Sequence, residues 1–343
     1  MKRFVLGSMV IVVVLLLFCA WASPPTANAA EEQVIRLKFS NVFPAPHRVG
    51  MLHERWSKDL EKATNGRVKV SFFPGGTLTP PAQTYDSVVN GIADVGASVF
   101  SYTRGKFPLT EVIDLPLGYK NGYVANKLIN EYYARFKPKE LDDVKVLWLH
   151  TTTPGFLMTA KKPVHTMEDV KGLKLRSTGL SGQVVQALGG IPVGMTVTET
   201  YDALMKGVAD GTMLPMEALK GFKMGEVLSY VTLNYSSTYV AAEFVVMNKA
   251  KWNSLPSDIK KIIDKLCQDY LEPQGRLWDE VDVEGKDFFL QKGGKFIDLT
   301  KEEDARWARQ VRPILDEYVK NTTARGLPGA EVLKFAQEYL KTH

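Results

Sequence analysis

The chain has 343 residues, 45% of them hydrophobic and 24% charged, with 43 Lys and Arg against 38 Asp and Glu. A surface this evenly mixed, with no concentrated basic run, excludes a nucleic-acid-binding footprint, and the length allows two domains of ordinary size. With only Cys19 and Cys267 present, a cysteine metal cluster is excluded as well.

Lys2 and Arg3 precede an apolar run from Met9 to Trp21, and Ala27-Asn28-Ala29 offers a small-x-small cleavage site. This order predicts a secretory signal peptide over residues 1–29 and an exported protein beginning at Ala30. The apolar core is short for a membrane span, and the polar Ser23-Pro24-Pro25-Thr26 follows it directly. Phe18 before Cys19 is too bulky for a lipidation site. Cleavage would remove Lys2 and Arg3, leaving 41 of the 43 basic residues against 38 acidic ones. Cys267 would then be the single cysteine, among Ile262, Ile263, Leu266 and Tyr270, in a core-packing position.

Val34 to Ser40 alternates with the period of a strand and runs into Asn41–His47, a loop stiffened by Pro44 and Pro46. Leu52, Trp56, Leu60 and Ala63 mark one face of a helix that Asn65-Gly66 ends. A second strand, Val68–Phe73, closes at Pro74-Gly75-Gly76. Ala93–Ser98 reads as a buried strand leading to Phe100 and Tyr102, and a helix is expected from Tyr123 to Phe136. Val144–Leu149 is a strand whose exit, His150 to Gly155, looks like a crossover between lobes.

Leu173 and Leu175 then alternate with Lys174 and Arg176, Thr178 and Ser181 are N-cap candidates, and Val184, Val185 and Leu188 continue at helical spacing to Gly189-Gly190. A second crossing is expected near Tyr239 to Met247. Ser257 is placed to cap a long helix through Ile259, Ile263 and Leu266, with Pro273 as a kink or restart. Trp307, Val311, Ile314, Leu315 and Tyr318 form the last strong stripe. Strands alternating with helices predict an α/β fold with a largely parallel sheet.

Thr84-Tyr85-Asp86 with Gly91, Ala93 and Asp94 recurs as Thr200-Tyr201-Asp202 with Gly207, Ala209 and Asp210 at the same offsets. Either the match is convergence on one helix–turn–strand solution, or each lobe carries an equivalent βα unit. Phosphate-cradling glycine loops, H-E-x-x-H spacing and a G-x-S-x-G elbow are missing from the sequence, and the five histidines are scattered.

Arg176 lies near the C-terminal end of its strand, where α/β folds open their ligand crevice. It could serve a structural ion pair or clamp an anion, for which its planar fork and permanent charge are suited. A helix starting just after it would add free N–H groups and a positive dipole end. Phe43, Tyr102 and Phe156, read as lying on strand-exit loops, could wall a cleft or simply pack. His47 could donate to a ligand or cap the first helix.

The run Glu168–Arg176, followed by Ala187-Leu188-Gly189-Gly190-Ile191-Pro192, closely resembles the signature of solute-binding subunits of TRAP (tripartite ATP-independent periplasmic) transporters, the dicarboxylate-binding-protein-like family. Asn65–Val68, Phe73–Leu78, Leu115–Tyr119 and Leu204–Gly211 resemble that family too. The resemblance implies a two-lobed periplasmic solute-binding fold, with a ligand cleft between lobes and a long helix spanning both. Lobe I would comprise residues 30–153 plus about 242–281, and lobe II 154–241 plus about 282–343. Arg176 would clamp a substrate carboxylate, in a binding set completed by Thr178, Phe43, His47, Ser98, Tyr102, Phe156, Leu157 and Leu214. A monomeric protein without cofactor, metal or catalysis would hand a small organic anion to a TRAP membrane permease.

Two departures bear on the ligand. Many family members have arginine two places after the glycine matched by Gly155, where this chain has Leu157. Many also read acid-asparagine-proline where it has Met213-Leu214-Pro215. Both changes replace polar contacts with apolar ones, so the expected ligand is a monoanion with an apolar or aromatic body. The alternatives are a dicarboxylate, sugar acid or sulfonate, or a periplasmic enzyme acting on an organic acid.

Overall fold

The computed structural model describes residues 34–343, so the segment read as a signal peptide lies outside the described residues. The chain opens with β1 (Ile35–Asn41), α1 (Arg48–Ala63), β2 (Val68–Phe73), α2 (Thr84–Val89), β3 (Val95–Val99), α3 (Gly122–Phe136) and β4 (Val144–Thr151). It continues with β5 (Gly155–Thr159), α4 (Met167–Val170), β6 (Lys174–Ser177), α5 (Gly179–Ala187) and β7 (Ile191–Gly194). Next come α6 (Val197–Met205), β8 (Gly211–Pro215), α7 (Ala218–Gly221), β9 (Tyr230–Leu233), β10 (Ala242–Asn248) and α8 (Lys249–Ser254). The last elements are α9 (Ser257–Gln291), β11 (Lys295–Asp298), α10 (Lys301–Val311), α11 (Pro313–Ala324) and α12 (Gly329–Thr342).

Two sheets form, ordered β2-β1-β3-β10-β4 and β11-β9-β5-β8-β6-β7. Most neighbours are parallel, as the alternating pattern predicts, but β10 is antiparallel to β3 and β4, and β5 is antiparallel to β8 and β9. These are the strands that follow each crossing of the chain. A strand entering from the other sheet starts where its neighbours end, so it must run against them. The crossing segments are themselves tied together, Thr152 N–H to Ala241 O at 3.0 Å and Gly155 N–H to Tyr239 O at 2.8 Å.

The internal echo has a common backbone mechanism. In the first copy Gly91 takes φ +75°, Ile92 and Ala93 N–H both reach Ser87 O, and Asp94 N–H donates to Lys38 O while its carboxylate accepts from Lys38 N–H. In the second, Gly207 takes φ +69°, Val208 and Ala209 reach Ala203 O, and Asp210 clasps the Lys174 backbone the same way. Glycine is needed because the turn requires φ > 0, and the aspartate locks the new strand in register.

The long helix runs unbroken for 35 residues, about 50 Å at 1.5 Å per residue. Two sequence expectations are corrected here. Pro256 occupies the N-cap position with no side-chain cap bond, so Ser257 is the first helical residue, not the cap. Pro273 neither stops nor restarts the helix. It removes one N–H, and packing of α9 against α1, α3 and β4 on one side and α7 on the other holds the helix together.

The C-terminal helices divide between the sheets. Asp304 of α10 accepts from Ser236, near the second sheet, whereas α12 lies on α3 with the Phe136 and Phe335 rings 5.4 Å apart. Assigning all of 282–343 to the second lobe therefore does not describe α12, whose buried Val332, Leu333 and Ala336 find their apolar partner surface on the first. Each of the two core clusters draws residues from both sheets.

Candidate functional site

A cavity of about 30 Å³ lies where the strand ends of the two sheets meet. Arg176 enters it from β6, held between Val193 of β7 and Thr212 of β8 by strand register. Its Nε donates to Met195 O at 3.0 Å, and the side chain is only 2% exposed. Among the described residues, no carboxylate lies within ion-pair distance of it.

Thr178 lines the same cavity and is the N-cap of α5. Its N–H donates to Ser181 Oγ at 3.0 Å, completing a reciprocal capping box. The start of α5 is pressed against the first lobe: Gly179 has φ +49°, and a Cβ there would stand 2.7 Å from Ser101 Cβ. Ser101 Oγ donates to Thr178 Oγ1 at 3.3 Å, and Val197 N–H donates to the Tyr102 hydroxyl at 3.0 Å. That hydroxyl lies beside the Arg176 guanidinium, whose charge offsets part of the rise that burial imposes on the phenol. These contacts join the two lobes beside Arg176.

Phe43 follows β1 and walls the opposite side, and its ring is 4.6 Å from that of His47. His47 does cap α1, its Nδ1 accepting from Val49 N–H at 3.2 Å. The proton is then on Nε2, which faces Glu217 Oε2 at 2.7 Å, so its donor is spent on a protein carboxylate. Both side chains are buried. Leu214 lines the cavity from β8.

Three other expected site residues are placed elsewhere. Phe156 is inside β5, not on a strand-exit loop, and packs edge-on against Tyr235 at 5.5 Å. Leu157 is fully buried opposite Met213 and belongs to the core. Alternate residues of a strand face opposite sides, so Leu214 and Leu157 point to different places. Ser98 Oγ donates to Pro81 O at 2.9 Å and stays behind Val99, which does line the cavity.

Sequence reasoning missed the acids. Glu217 and Glu243 both line the cavity. Glu243 sits on β10 between Val99 and His150, with Oε2 2.9 Å from His150 Nδ1. Burial, reinforced by the charge of Glu217, holds the Glu243 carboxyl well above the usual carboxylate range. Burial pushes His150 down to about 3. The legible signal was a lone acid in the apolar run Ala241–Val246.

Behind the cavity, one face of α9 makes a polar ladder into both lobes. Gln274 meets His53 Nε2 at 3.1 Å, and Trp278 Nε1 donates to His150 Nδ1 at 3.3 Å. Asp282 accepts from Thr153 Oγ1 at 2.5 Å and from Glu217 N–H at 3.1 Å. Burial raises Asp282 to about 7. Among the described residues no cluster of three or more His, Cys, Asp or Glu is arranged to hold a metal ion.

The chain is 28% identical over 299 residues to the C4-dicarboxylate-binding periplasmic protein DctP of Rhodobacter capsulatus, covering 84% of this chain and 88% of that protein. It superimposes with a TM-score of 0.85 and 30% identity on a marine metagenome TRAP solute-binding protein specific for aromatic acid ligands, solved with metahydroxyphenylacetate; 90% of this chain and 99% of that one are covered. A TRAP solute-binding protein of Rhodoferax ferrireducens T118, solved with copurified benzoate, gives 0.83 and 30%, covering 90% and 98%. The family described as bacterial extracellular solute-binding protein, family 7, matches residues 39–321. With a match across nearly all the described chain, and two sheets enclosing a buried arginine, this protein belongs to that family of bacterial extracellular solute-binding proteins.

Proposed function

We propose that this protein binds one small organic carboxylate at Arg176, a monoanion with an apolar or aromatic body, and delivers it unchanged to a TRAP membrane permease. It works in the periplasm, as a monomer. The observation that carries this reading is a guanidinium buried to 2% exposure with no acidic partner among the described residues. An unpaired buried charge costs several kcal/mol, a cost that an incoming carboxylate offsets through bidentate hydrogen bonds. The dipole end of α5 favours the same charge.

The rest of the lining favours a single charge. Phe43, Val99, Val197, Leu214 and Phe222 are apolar, and Arg176 is the one Arg or Lys of the lining. A second carboxylate would face Glu217 and Glu243 instead of a cation. An apolar body gains about 25 cal/mol per Å² removed from water. The aromatic acids bound by the metagenome and Rhodoferax proteins support the same ligand class.

The lobes follow the sheets: residues 34–153 with about 242–281, joined by α12, against 154–241 with the segment from about 282 through α10. The decisive experiment releases and identifies the molecule that copurifies, then runs a thermal-shift panel. Aromatic and branched monoacids should raise the melting temperature. If only succinate, malate or sugar acids do so, the monoanion reading is wrong; a ligand chemically changed on incubation would make the protein an enzyme.

A further inference from the structure

We propose that a hollow at the mouth of the cleft, outside the Arg176 cavity, is an encounter subsite for the organic carboxylate, with Arg104 as the cation that captures it before it passes on to Arg176. The inference rests on the carboxylate-binding reading above and adds to it a second site with a kinetic role.

The hollow has a volume of about 580 Å³, against about 30 Å³ for the space at Arg176. The larger figure lies within the range of small-molecule sites, about 300 to 1,000 Å³. Tyr102 and Thr178 line both spaces, so the two share a wall. The first lobe adds Ser101 and Arg104 to the hollow, and the second adds Gly194 and Thr196. Arg104 reaches across to the second lobe, where a Cβ on Gly194 would stand 3.2 Å from its Nη2. The loop that carries it turns at Gly105, which takes φ +72° and whose carbonyl accepts from Arg325 Nη1 at 3.2 Å.

Within the hollow the positive charge is the free one. Arg104 is the one Arg or Lys of the lining, and among the described residues no carboxylate lies within ion-pair distance of it. Glu199 is the one acid, and its Oε2 is committed to the start of α6, accepting from Thr196 N–H at 2.8 Å and from Thr196 Oγ1 at 2.6 Å. The neighbouring Lys106 turns instead to Asp86. Arg104 stays charged at any relevant pH, but it is exposed, so solvent screens a contact made there and little final affinity comes from it. A cation at the rim of a cleft acts on the encounter: it raises the local concentration of an anion and its association rate, and salt weakens the effect. A monoanion has one carboxylate, to be spent on Arg104 or on Arg176. The outer contact is therefore made on the way in and given up for the buried one. Arg104 governs association, and Arg176 governs retention.

Stopped-flow tryptophan fluorescence on the mature protein, with phenylacetate as the probe, separates the two rates. At about 10 mM salt, where the screening length is about 30 Å, Arg104→Gln should lower the association rate about threefold to tenfold and leave the dissociation rate within about twofold. Arg104→Glu should lower association further. At about 1 M salt, where the screening length is about 3 Å, these differences should disappear. Lys106→Gln, an equal loss of charge on the same loop but outside the hollow, should lower association by less than about twofold. An association rate indifferent to Arg104, or lowered as much by Lys106→Gln, overturns the proposal. Faster dissociation in Arg104→Gln at an unchanged association rate does so too, because the hollow would then belong to the final bound state. Binding that Arg176→Ala abolishes but whose rates ignore Arg104 refutes this proposal alone, whereas binding that survives Arg176→Ala refutes the carboxylate-binding reading and this proposal with it. If phenylacetate does not bind the wild type, benzoate takes its place; if neither binds, the ligand class was misassigned and the proposal falls.

Discussion

Arg176 is costly to keep buried without an acidic partner, so its removal should read out almost entirely in ligand binding. Loss of one member of a desolvated charge pair costs about 2–5 kcal/mol, roughly thirtyfold to several thousandfold in affinity. Calorimetry on Arg176→Ala should show that loss, with a melting temperature no lower than that of the ligand-free wild type. His150 makes a prediction about pH. Its folded-state pKa of about 3 lies below the ordinary 6.5, so between those values the unfolded chain binds a proton that the folded chain refuses. Stability therefore falls as pH drops through that window, and the full contribution is present above about 6.5. From pH 7.5 to 4.5 the loss from this residue is roughly 3 kcal/mol. Urea unfolding at both values should show a smaller decline by about that amount in His150→Gln. An equal decline in the variant would mean that His150 is charged in the fold.

Among the elements, α9 does the most to relate the two lobes. Its buried face places Gln274, Trp278 and Asp282 one turn apart, reaching α1, β4 and the first crossing in succession. Asp279 adds a cap to α3, accepting from Gly122 N–H at 2.7 Å and Tyr123 N–H at 3.3 Å. One turn beyond Asp282, Gly285 lets the helix meet the backbone after β8, where any Cβ would collide with the Met216 carbonyl. Neither partner is a flexible side chain, so the collision must push α9 away from α7. Gly285→Ala should cost about 1–3 kcal/mol, measured as a lower urea midpoint at unchanged slope. A neutral result would show that α9 and the second lobe can separate freely.

At the scale of the molecule, the two lobes touch beside Arg176, where Ser101 with Thr178 and Tyr102 with Val197 bridge them. A ligand that touches both lobes favours the closed state by its difference in affinity for the two, and only that difference shifts the population. Small-angle scattering should therefore give a smaller radius of gyration with saturating ligand than without. An unchanged profile for a ligand shown to bind would exclude hinge closure as the binding mechanism.

Short-range pattern was enough to locate Arg176 at a strand end and Thr178 at a helix start, because alternation and capping are local properties of the chain. The same holds for the repeated glycine–aspartate turn, whose hydrogen bonds all lie within one βα unit and its neighbouring strand. The resemblance to solute-binding subunits carried the lobes and the spine, and it is the source of the proposal that Arg176 clamps an anion. What local pattern could not supply was the direction in which side chains point once strands from distant parts of the chain become neighbours. Leu157 and Leu214 are equally apolar in sequence, yet the pairing of β5 with β8 sends one to the core and the other to the cavity. Glu243 and His150 are 93 residues apart and meet only because β10 returns from the second lobe to lie beside β4. Burial disfavours the charged form of each, and that burial does not exist until the two crossings of the chain have closed the sheet.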